Sequence, residues 1–273
     1  MLLLFWKKKL CPHKSSYWLF PRFEDWAIFC AEVKEAATAI GRATRGESPH
    51  IACISTDEKT GIQALSRTEA AAPDSQGGYL RQETEYQRNG TTTLIAATDL
   101  QSGTICHHIC SATRTEQDYA IFAEQTIGKV LEQPDVQEVV IIADQLNTHL
   151  SETLVKLMVV LCGLEGIDIG EKGKEGILKN KQSRKKFLED PTHKVRFLFT
   201  PKHCSWLNPI ENWFAKLQTQ LINKGNFESV AILQQKINNY IEYYNTYLAK
   251  PIQWQFKGFD KQRKLHNIIM ESN

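Results

Sequence analysis

The feature that most constrains the fold of this 273-residue chain is a run of five apolar residues at positions 139–143, which ends directly at Asp144. A near-continuous run of β-branched and small apolar residues is typical of a strand that is buried on both faces. Such a strand needs helices on each side of its sheet, because bare sheet faces would expose its side chains to water. The run therefore predicts the centre of a layered α/β domain.

Shorter apolar runs and helical periodicities surround this strand in an alternating order. Gly103 lies in a polar segment, residues 99–103, that predicts a hairpin loop between two strands. One strand, then this hairpin, then alternating helices and strands predict a mixed sheet with helices on both faces. The predicted strands are 51–56, 93–98, 104–110, 139–143 and 195–199, and the predicted helices are 25–43, 116–132, 151–161, one that opens at 208–209, and 229–248, with residues 67–90 mostly loop.

Composition excludes several classes of protein. With 42% hydrophobic and 23% charged residues, the chain has the balance of a globular domain rather than of a disordered segment. No apolar run approaches the roughly 18 residues of a membrane span, and residues 1–6 precede their lysines, the reverse of a secretory signal. Seven cysteines without a Cys-x-x-Cys pair indicate reduced thiols and a cytoplasmic protein. A net charge of +2 excludes a basic footprint over the whole chain and leaves room for local patches.

Three acidic residues, Asp57, Asp144 and Glu211, are candidates for a shared site. Asp57 and Asp144 end the first and fourth predicted strands, and α/β sheets gather ligands beyond the carboxyl ends of their strands. If those strands are neighbours, the two carboxylates meet at one edge and repel each other unless a cation lies between them. Mg²⁺ suits carboxylate oxygens and keeps positions for phosphate and water, and two such ions about 4 Å apart stabilise both oxygens of a phosphodiester displacement.

Each acid also has an ordinary structural explanation. An aspartate after a strand is often a turn residue or a helix cap. Glu211 follows Asn208 and Pro209, and this spacing predicts that Asn208 caps the helix while Glu211 completes a capping box. Only the joint placement of the three acids favours a functional site.

Glu58 and His149 lie beside these acids in the sequence. Since successive side chains of a strand point to opposite faces, Glu58 is expected to face away from Asp57 and to hold no metal. His149 is expected either to contact DNA or substrate water, or to make a hydrogen bond at a helix start.

The segment around Asp57 reads STDEKTGIQ, the segment around Asp144 reads IADQLNTH, and the segment around Glu211 reads TPKHCSWLNPIENWF. These segments resemble the mariner-type superfamily of DDE transposases, in its bacterial insertion-sequence branch. A fourth segment, YQRNGT at 86–91, matches the part of the family that precedes the hairpin. The string LNPIE at a helix start is the most specific of these matches, and the resemblance extends from about residue 10 to residue 257.

The resemblance implies a ribonuclease-H-like fold and metal-dependent cleavage and joining of DNA strands. Asp57, Asp144 and Glu211 correspond to the catalytic triad, with Mg²⁺ as the cofactor and Mn²⁺ as a substitute. Water cuts a phosphodiester at the element end, and the freed 3′ hydroxyl then attacks target DNA. The implied partners are double-stranded DNA, as element ends and target, and a second copy of the chain. The implied location is the cytoplasm, at the nucleoid.

The resemblance also divides the chain. Residues 1–50 look like the family's linker or an N-terminal arm, residues 51–257 look like the DDE catalytic domain, and residues 258–273 form a C-terminal tail. Full-length relatives carry a helix-turn-helix ahead of this linker. We expect that region to come from a separately encoded subunit, or to be missing from a truncated copy.

Residues 163–194 are predicted to be a basic insertion. Sixty-six residues separate Asp144 from Glu211, more than in compact relatives. Residues 171–202 contain ten Lys or Arg and four Asp or Glu. The run at 179–186 is expected to be a solvated face or, if it binds DNA, to bind with an affinity that falls steeply with salt. We therefore expect that deletion of residues 165–190 leaves the fold intact.

Four further residues are candidate DNA contacts, because basic side chains hold backbone phosphates and aromatic rings stack on bases. They are Arg88, Lys202, His203 and Trp206. The alternative for the last three is a loop whose Trp packs on the following helix.

Two other functions stay open at this point. A hydrolytic nuclease of the same fold would cut DNA without joining it. A truncated, non-catalytic remnant would bind DNA or a partner subunit without chemistry. The intact acids favour retained catalytic capacity.

Overall fold

A computed structural model describes residues 26–68, 72–73, 80–81, 85–202 and 204–255 of the chain. Predictions for residues 1–25, for His203 and for the tail at 258–273 lie outside these described residues. Within the described ranges, no helix is both long and apolar enough to cross a lipid bilayer.

The described residues form strands and helices in nearly the predicted order. The strands are β1 (Ile51–Ser66), β2 (Ala72–Pro73), β3 (Leu80–Arg81), β4 (Gln87–Asp99), β5 (Ile105–Ser111), β6 (Glu138–Ala143) and β7 (Val195–Phe199). The α-helices are α1 (Trp26–Thr44), α2 (Glu116–Leu131), α3 (Glu152–Leu161), α4 (Lys181–Leu188), α5 (Ile210–Leu217) and α6 (Val230–Tyr243). Short 3₁₀ turns at Thr148–Leu150 and Ser205–Leu207, and π turns at Gln218–Ile222 and Tyr244–Leu248, extend these helices or connect them.

The main sheet has the strand order β5-β4-β1-β6-β7. Strands β1, β6 and β7 are parallel neighbours, and β4 runs antiparallel to both β1 and β5. The prediction of a mixed sheet is therefore confirmed. The structure also makes the first and fourth predicted strands direct neighbours, with Ser55 opposite Ile142 at the last parallel pair.

Helices cover both faces of this sheet, as its apolar strands require. One face packs against α2, α3 and α4, and the other packs against α1, α5 and α6. In β6, Ile141 lies in the first of these clusters and Ile142 lies on the opposite face. Burial of each such side chain stabilises the fold by roughly 1.5–3 kcal/mol. The continuous apolar run at 139–143 is thus explained by burial from two sides.

Strand β1 is ten residues longer than predicted, and β4 begins six residues earlier. Beyond Ser55, β1 loses its contact with β6 and pairs with β4 alone, as far as Ser66 opposite Gln87. The side chains of this two-stranded ribbon are largely polar and partly exposed, which is why its sequence resembles a loop. Asp57 therefore lies inside a strand and not at its end.

The segment at 163–194, predicted to be a basic insertion, contributes side chains to the core. Asn180 caps α4 through a capping box with Ser183, and Phe187 and Leu188 of this helix are buried in the cluster with α2 and α3. The Arg184 guanidinium donates to the main-chain oxygen of Leu150 at 2.6 Å. Lys186 is exposed on this helix, while Lys181, Arg184 and Lys185 are half-buried.

Deletion of residues 165–190 is now expected to destabilise the protein severely. It removes three core side chains, Leu178, Phe187 and Leu188, and each loss of this size costs about 2–5 kcal/mol. That sum is comparable to the whole stability of a typical domain. Urea unfolding followed by circular dichroism should show no cooperative transition in the deletion variant. Lys186→Gln, an exposed change in the same segment, should unfold like wild type; a cooperative deletion variant would restore the dispensable-insertion hypothesis.

Candidate active site

The two aspartates lie at the same edge of the sheet. Asp57 is two residues beyond the last parallel pair of β1 and β6, and the residue is only 8% exposed. Asp144 directly follows Ala143, the last residue of β6. Because β1 and β6 are parallel neighbours, both carboxyls emerge where the two strands separate.

Glu211 is held beside this edge by a polar contact between α5 and β1. The Asn208 amide nitrogen donates to the main-chain oxygen of Thr56 at 3.0 Å and to Asp57 Oδ2 at 3.2 Å. The Ser55 hydroxyl donates to Asn208 Oδ1 and accepts the Ile210 N–H at 3.0 Å. The first turn of α5, which carries Glu211, is therefore fixed against the strand that carries Asp57.

The predicted capping box does not form. Helix α5 begins at Ile210, and the residue at its cap position, Pro209, makes no side-chain cap bond. The Ile210 N–H is instead bound by the Ser55 hydroxyl of β1. Asn208 is turned away from the helix because its amide is engaged by β1. Sequence reasoning missed Ser55 and Asn208 as site residues, although both lie in the segments that resemble transposases.

Burial and mutual repulsion perturb the acids. The pKa of Asp57 is raised to about 7, first by burial and then by the negative charge of Asp144. The pKa of Glu211 is also raised, mainly by burial, with a lowering contribution from Lys59 and a raising one from Asp144. Although burial acts to raise it, the pKa of Asp144 lies below its ordinary value because His149 donates a hydrogen bond to it.

His149 lies between the carboxylates of Asp144 and Glu58, on the face of β1 opposite to Asn208. Its Nδ1 is 2.8 Å from Asp144 Oδ1, and its Nε2 is 3.3 Å from Glu58 Oε1. Burial opposes the charge of the ring, but these two carboxylates raise the pKa of His149 to about 10. The ring is fully buried, and its Nδ1 lies 3.1 Å from the main-chain oxygen of Asp144, ahead of the 3₁₀ turn that carries His149. A contact of His149 with DNA or substrate water stays a prediction.

The three acids suit a divalent cation by their chemistry. Their donors are all carboxylate oxygens, which Mg²⁺ and Mn²⁺ prefer. Among the described residues, nothing donates a hydrogen bond to the Glu211 carboxylate or to Asp144 Oδ2. Burial is the main cause of the raised pKa values of Asp57 and Glu211, and the charge of Asp144 adds to it. In the part of the chain that the structure describes, however, no three acidic, His or Cys side chains form a ready-made metal cluster.

The candidate DNA contacts lie at different distances from the acids. Lys202 is exposed in the loop after β7, and Trp206 is 44% exposed in the turn before α5. Arg88 lies opposite Leu65, eight positions along β1 from Asp57, which is about 26 Å in an extended strand. Its guanidinium lies over the Tyr86 ring at 5.7 Å. Lys202 follows β7 at the same edge of the sheet where Asp144 follows β6, and Trp206 precedes the helix of Glu211, whereas Arg88 lies far along the ribbon.

A mixed five-stranded sheet, with acids from two adjacent strands and a docked helix at one edge, defines an α/β protein of nuclease-like architecture. The chain belongs to the DDE superfamily endonucleases, whose family model matches residues 53–234. This match includes Asp57, Asp144 and Glu211. The predicted relationship to DDE transposases is thereby confirmed at the level of the superfamily, and the bacterial insertion-sequence branch stays a prediction.

Solved structures of Mos1 transposase have a similar fold. The Mos1 mariner paired end complex with Mn matches with a TM-score of 0.52 and 13% identity, over 84% of this chain and 59% of that one. The Mos1 paired-end complex with left transposon end matches with a TM-score of 0.51 and 13% identity, over 84% of this chain and 58% of that one. The Mos1 catalytic domain with raltegravir and Mn matches with a TM-score of 0.50 and 11% identity, over 81% of this chain and 85% of that one. The ribonuclease-H-like fold is therefore confirmed, and this chain spans less than two thirds of the proteins in the paired-end complexes.

Curated protein sequences give no match to this chain.

Proposed function

We propose that this chain is the catalytic region of a DNA transposase, which cleaves strands at the ends of an insertion sequence and joins the freed 3′ hydroxyls to target DNA. The observation that carries the proposal is the contact of Asn208 with Asp57 and Ser55, because it fixes the helix of Glu211 against the strand of Asp57. Acids from three distant parts of the chain thereby face one edge of the sheet. Membership of the DDE superfamily endonucleases supports the same reaction.

Asp57, Asp144 and Glu211 are the proposed catalytic residues and the ligands of Mg²⁺, with Mn²⁺ as a substitute. When bound, the ion supplies stabilisation of charge on the scissile phosphate and a nucleophilic water. The Glu58 N–H and the Asn208 amide hold Asp57 in place, at 2.8 Å and 3.2 Å. Since the acids do not form a ready-made cluster, we expect ion binding to draw them together. The Mos1 paired end complex, which has a similar fold, was solved with Mn.

DNA is the proposed partner, and basic residues border the acids. Lys181 donates to the main-chain oxygen of Gln145 at 2.7 Å and to Asn147 Oδ1 at 3.0 Å, so α4 presents an ammonium group next to the loop of Asp144. Burial and the nearby charge of Lys202 lower the pKa of Lys181. A phosphate backbone that enters the site would meet both lysines. We place Trp206 at the same border, as a base-stacking side chain, and keep Arg88 and His203 as proposed contacts.

Other parts of the proposal follow from the resemblance. Residues 1–50 are the linker or arm, residues 51–257 the catalytic domain and residues 258–273 the tail. The DNA complex contains a second copy of the chain, and a separately encoded helix-turn-helix subunit recognises element ends. The complex acts in the cytoplasm, at the nucleoid.

Lys202→Ala is expected to weaken DNA binding and to make the affinity for DNA less dependent on salt concentration. Each lost phosphate contact lowers the slope of log affinity against log salt by about 0.9. Titration of a fluorescent duplex at several NaCl concentrations measures this slope. Lys224→Ala, an equally exposed change outside the proposed site, is the matched control. Equal slopes for the two variants would remove Lys202 from the DNA interface.

Strand joining tests the proposed function directly. The full chain is incubated with Mn²⁺, a labelled duplex that carries a free 3′ hydroxyl, and a supercoiled plasmid. A transposase attaches the label covalently to the plasmid, whereas a hydrolytic nuclease nicks the plasmid without attaching it. Glu211→Gln should abolish both products, and the exposed control Glu228→Gln should keep both. If wild type and Glu211→Gln give the same products, the enzymatic proposal is wrong and the non-catalytic alternative holds.

A further inference from the structure

The side chain of Glu58 is an unusual feature of the described residues, because it is a carboxylate with no exposed surface. Its Oε2 has no hydrogen-bond partner, and its Oε1 accepts from the Thr148 hydroxyl at 3.3 Å. Oε1 also lies 3.3 Å from His149 Nε2, a charge contact without hydrogen-bond geometry. Burial of a charged group is strongly unfavourable unless it is paired. A fold that keeps Glu58 in this position therefore needs a reason beyond packing.

The ring of His149 lies between Glu58 and Asp144 and contacts both. Nδ1 is 2.8 Å from Asp144 Oδ1 and 3.1 Å from its main-chain oxygen. Tyr119 packs against the ring with a centroid distance of 4.2 Å, and its hydroxyl pairs with the Thr56 hydroxyl at 2.8 Å. The orientation of the imidazole is thus set from its edges and from one face.

These contacts begin where the backbone pairing of β1 and β6 ends. The last parallel pair is Ser55 and Ile142, and beyond it no ladder hydrogen bonds connect the two strands. Glu58 follows Asp57 on β1, and Asp144 follows β6, so the path from Glu58 through His149 to Asp144 connects the two strands at the level of the acids. It does so on the face opposite to Asn208, which fixes Asp57.

The two oxygens of the Asp144 carboxylate therefore have different hydrogen-bonding environments. Oδ1 is engaged by His149 and by the Leu146 N–H at 3.0 Å, while Oδ2 receives no hydrogen bond from the described residues. A carboxylate held in this way loses little further freedom when an ion binds, which raises affinity by preorganisation.

We propose that Glu58 and His149 are positioning residues that hold Asp144 in the orientation that binds a divalent cation. This inference rests on the proposed role of Asp144 as a metal ligand. Neither Glu58 nor His149 touches the ion. They act through Asp144, and removal of their contact weakens ion binding without removing a ligand.

Binding of Mn²⁺ to the full chain, measured from the electron paramagnetic resonance signal of the free ion, tests this inference without any dependence on activity. Glu58→Gln keeps the shape of the side chain but loses the charge that faces His149, and we expect it to weaken Mn²⁺ binding about tenfold, the lower end of effects seen for outer-sphere partners. Glu58→Leu should have at least the same effect. A purely structural role for Glu58 predicts unchanged Mn²⁺ affinity in every variant that folds.

A matched control and a double variant make the outcome decisive. His193→Asn alters another buried histidine, which packs against Phe187 away from the acids, and should leave Mn²⁺ affinity unchanged. In an Asp144→Asn background, Glu58→Gln should have no further effect if it acts through Asp144. Weaker binding in Asp144→Asn with normal binding in Glu58→Gln would overturn this inference alone. Normal binding in Asp144→Asn would overturn the proposed metal site itself.

Discussion

Asp144→Asn is expected to lower the rate of Mg²⁺-dependent DNA nicking by on the order of 10³-fold. The amide oxygen of the new side chain can still accept from His149 and from the Leu146 N–H, so the local structure is retained. The variant loses the negative charge that the proposed site offers to a divalent cation. Conversion of supercoiled plasmid to the nicked form, at several Mg²⁺ concentrations, measures the effect.

Two further variants define what this result means. Asp135→Asn changes an exposed aspartate far from the acids and should nick DNA at the wild-type rate. Asp144→Ala should be as inactive as Asp144→Asn, but it leaves His149 without its closer carboxylate and is also expected to unfold more easily. Equal nicking by wild type and Asp144→Asn would contradict the proposal, because this substitution removes the charge without removing the contacts.

Much of the fold could be predicted because its signals are local. The apolar run at 139–143 can be satisfied only by burial from two sides, and Ile141 and Ile142 indeed lie in clusters on opposite faces of the sheet. Gly103 has a φ of 75° in the hairpin between β4 and β5, a backbone conformation that glycine adopts without strain. The five main strands and their succession along the chain followed from such patterns, whereas their order in the sheet did not.

The remainder depends on partners that are distant in sequence. The extension of β1 is polar, and only its pairing with β4 makes it a strand. Asn208 has the spacing of a helix cap, yet β1 takes its amide, because the buried Thr56 carbonyl and Asp57 carboxylate need a donor. A capping pattern alone cannot reveal a competing acceptor about 150 positions away in the chain.

The same limit explains the basic segment. Its excess of lysines favours a solvated face, but a charge count does not reveal that Leu178, Phe187 and Leu188 are buried in the core. Helix α4 then brings Lys181 to the loop of Asp144. A segment that looks like an addition to the domain therefore supplies both core contacts and a charge at the candidate site.

Asp57→Asn is expected to stabilise the metal-free protein at pH 8 while it abolishes nicking. Burial and the charge of Asp144 raise the pKa of Asp57 from 3.8 to about 7 in the folded chain. The folded state therefore favours the protonated form of Asp57. The stability of the folded chain is greatest below pH 4, where the carboxyl is protonated in both the folded and the unfolded state, and it falls as the pH rises to 7. Above pH 7 the ionised Asp57 therefore opposes folding by up to about 4 kcal/mol.

The amide that replaces the carboxyl in Asp57→Asn cannot ionise, so the gain of the variant over wild type should be small at pH 4, grow between pH 4 and pH 7, and stay constant above. We expect a net gain of about 2 kcal/mol at pH 8, because the substitution also weakens the bond from Asn208 to Asp57 Oδ2. Urea unfolding in EDTA at pH 4, 6 and 8 measures this profile. Addition of Mg²⁺ should then stabilise wild type alone, since a bound cation removes the repulsion that the variant lacks. A variant that is less stable than wild type at pH 8 in EDTA would show that Asp57 is a structural residue whose charge the fold requires.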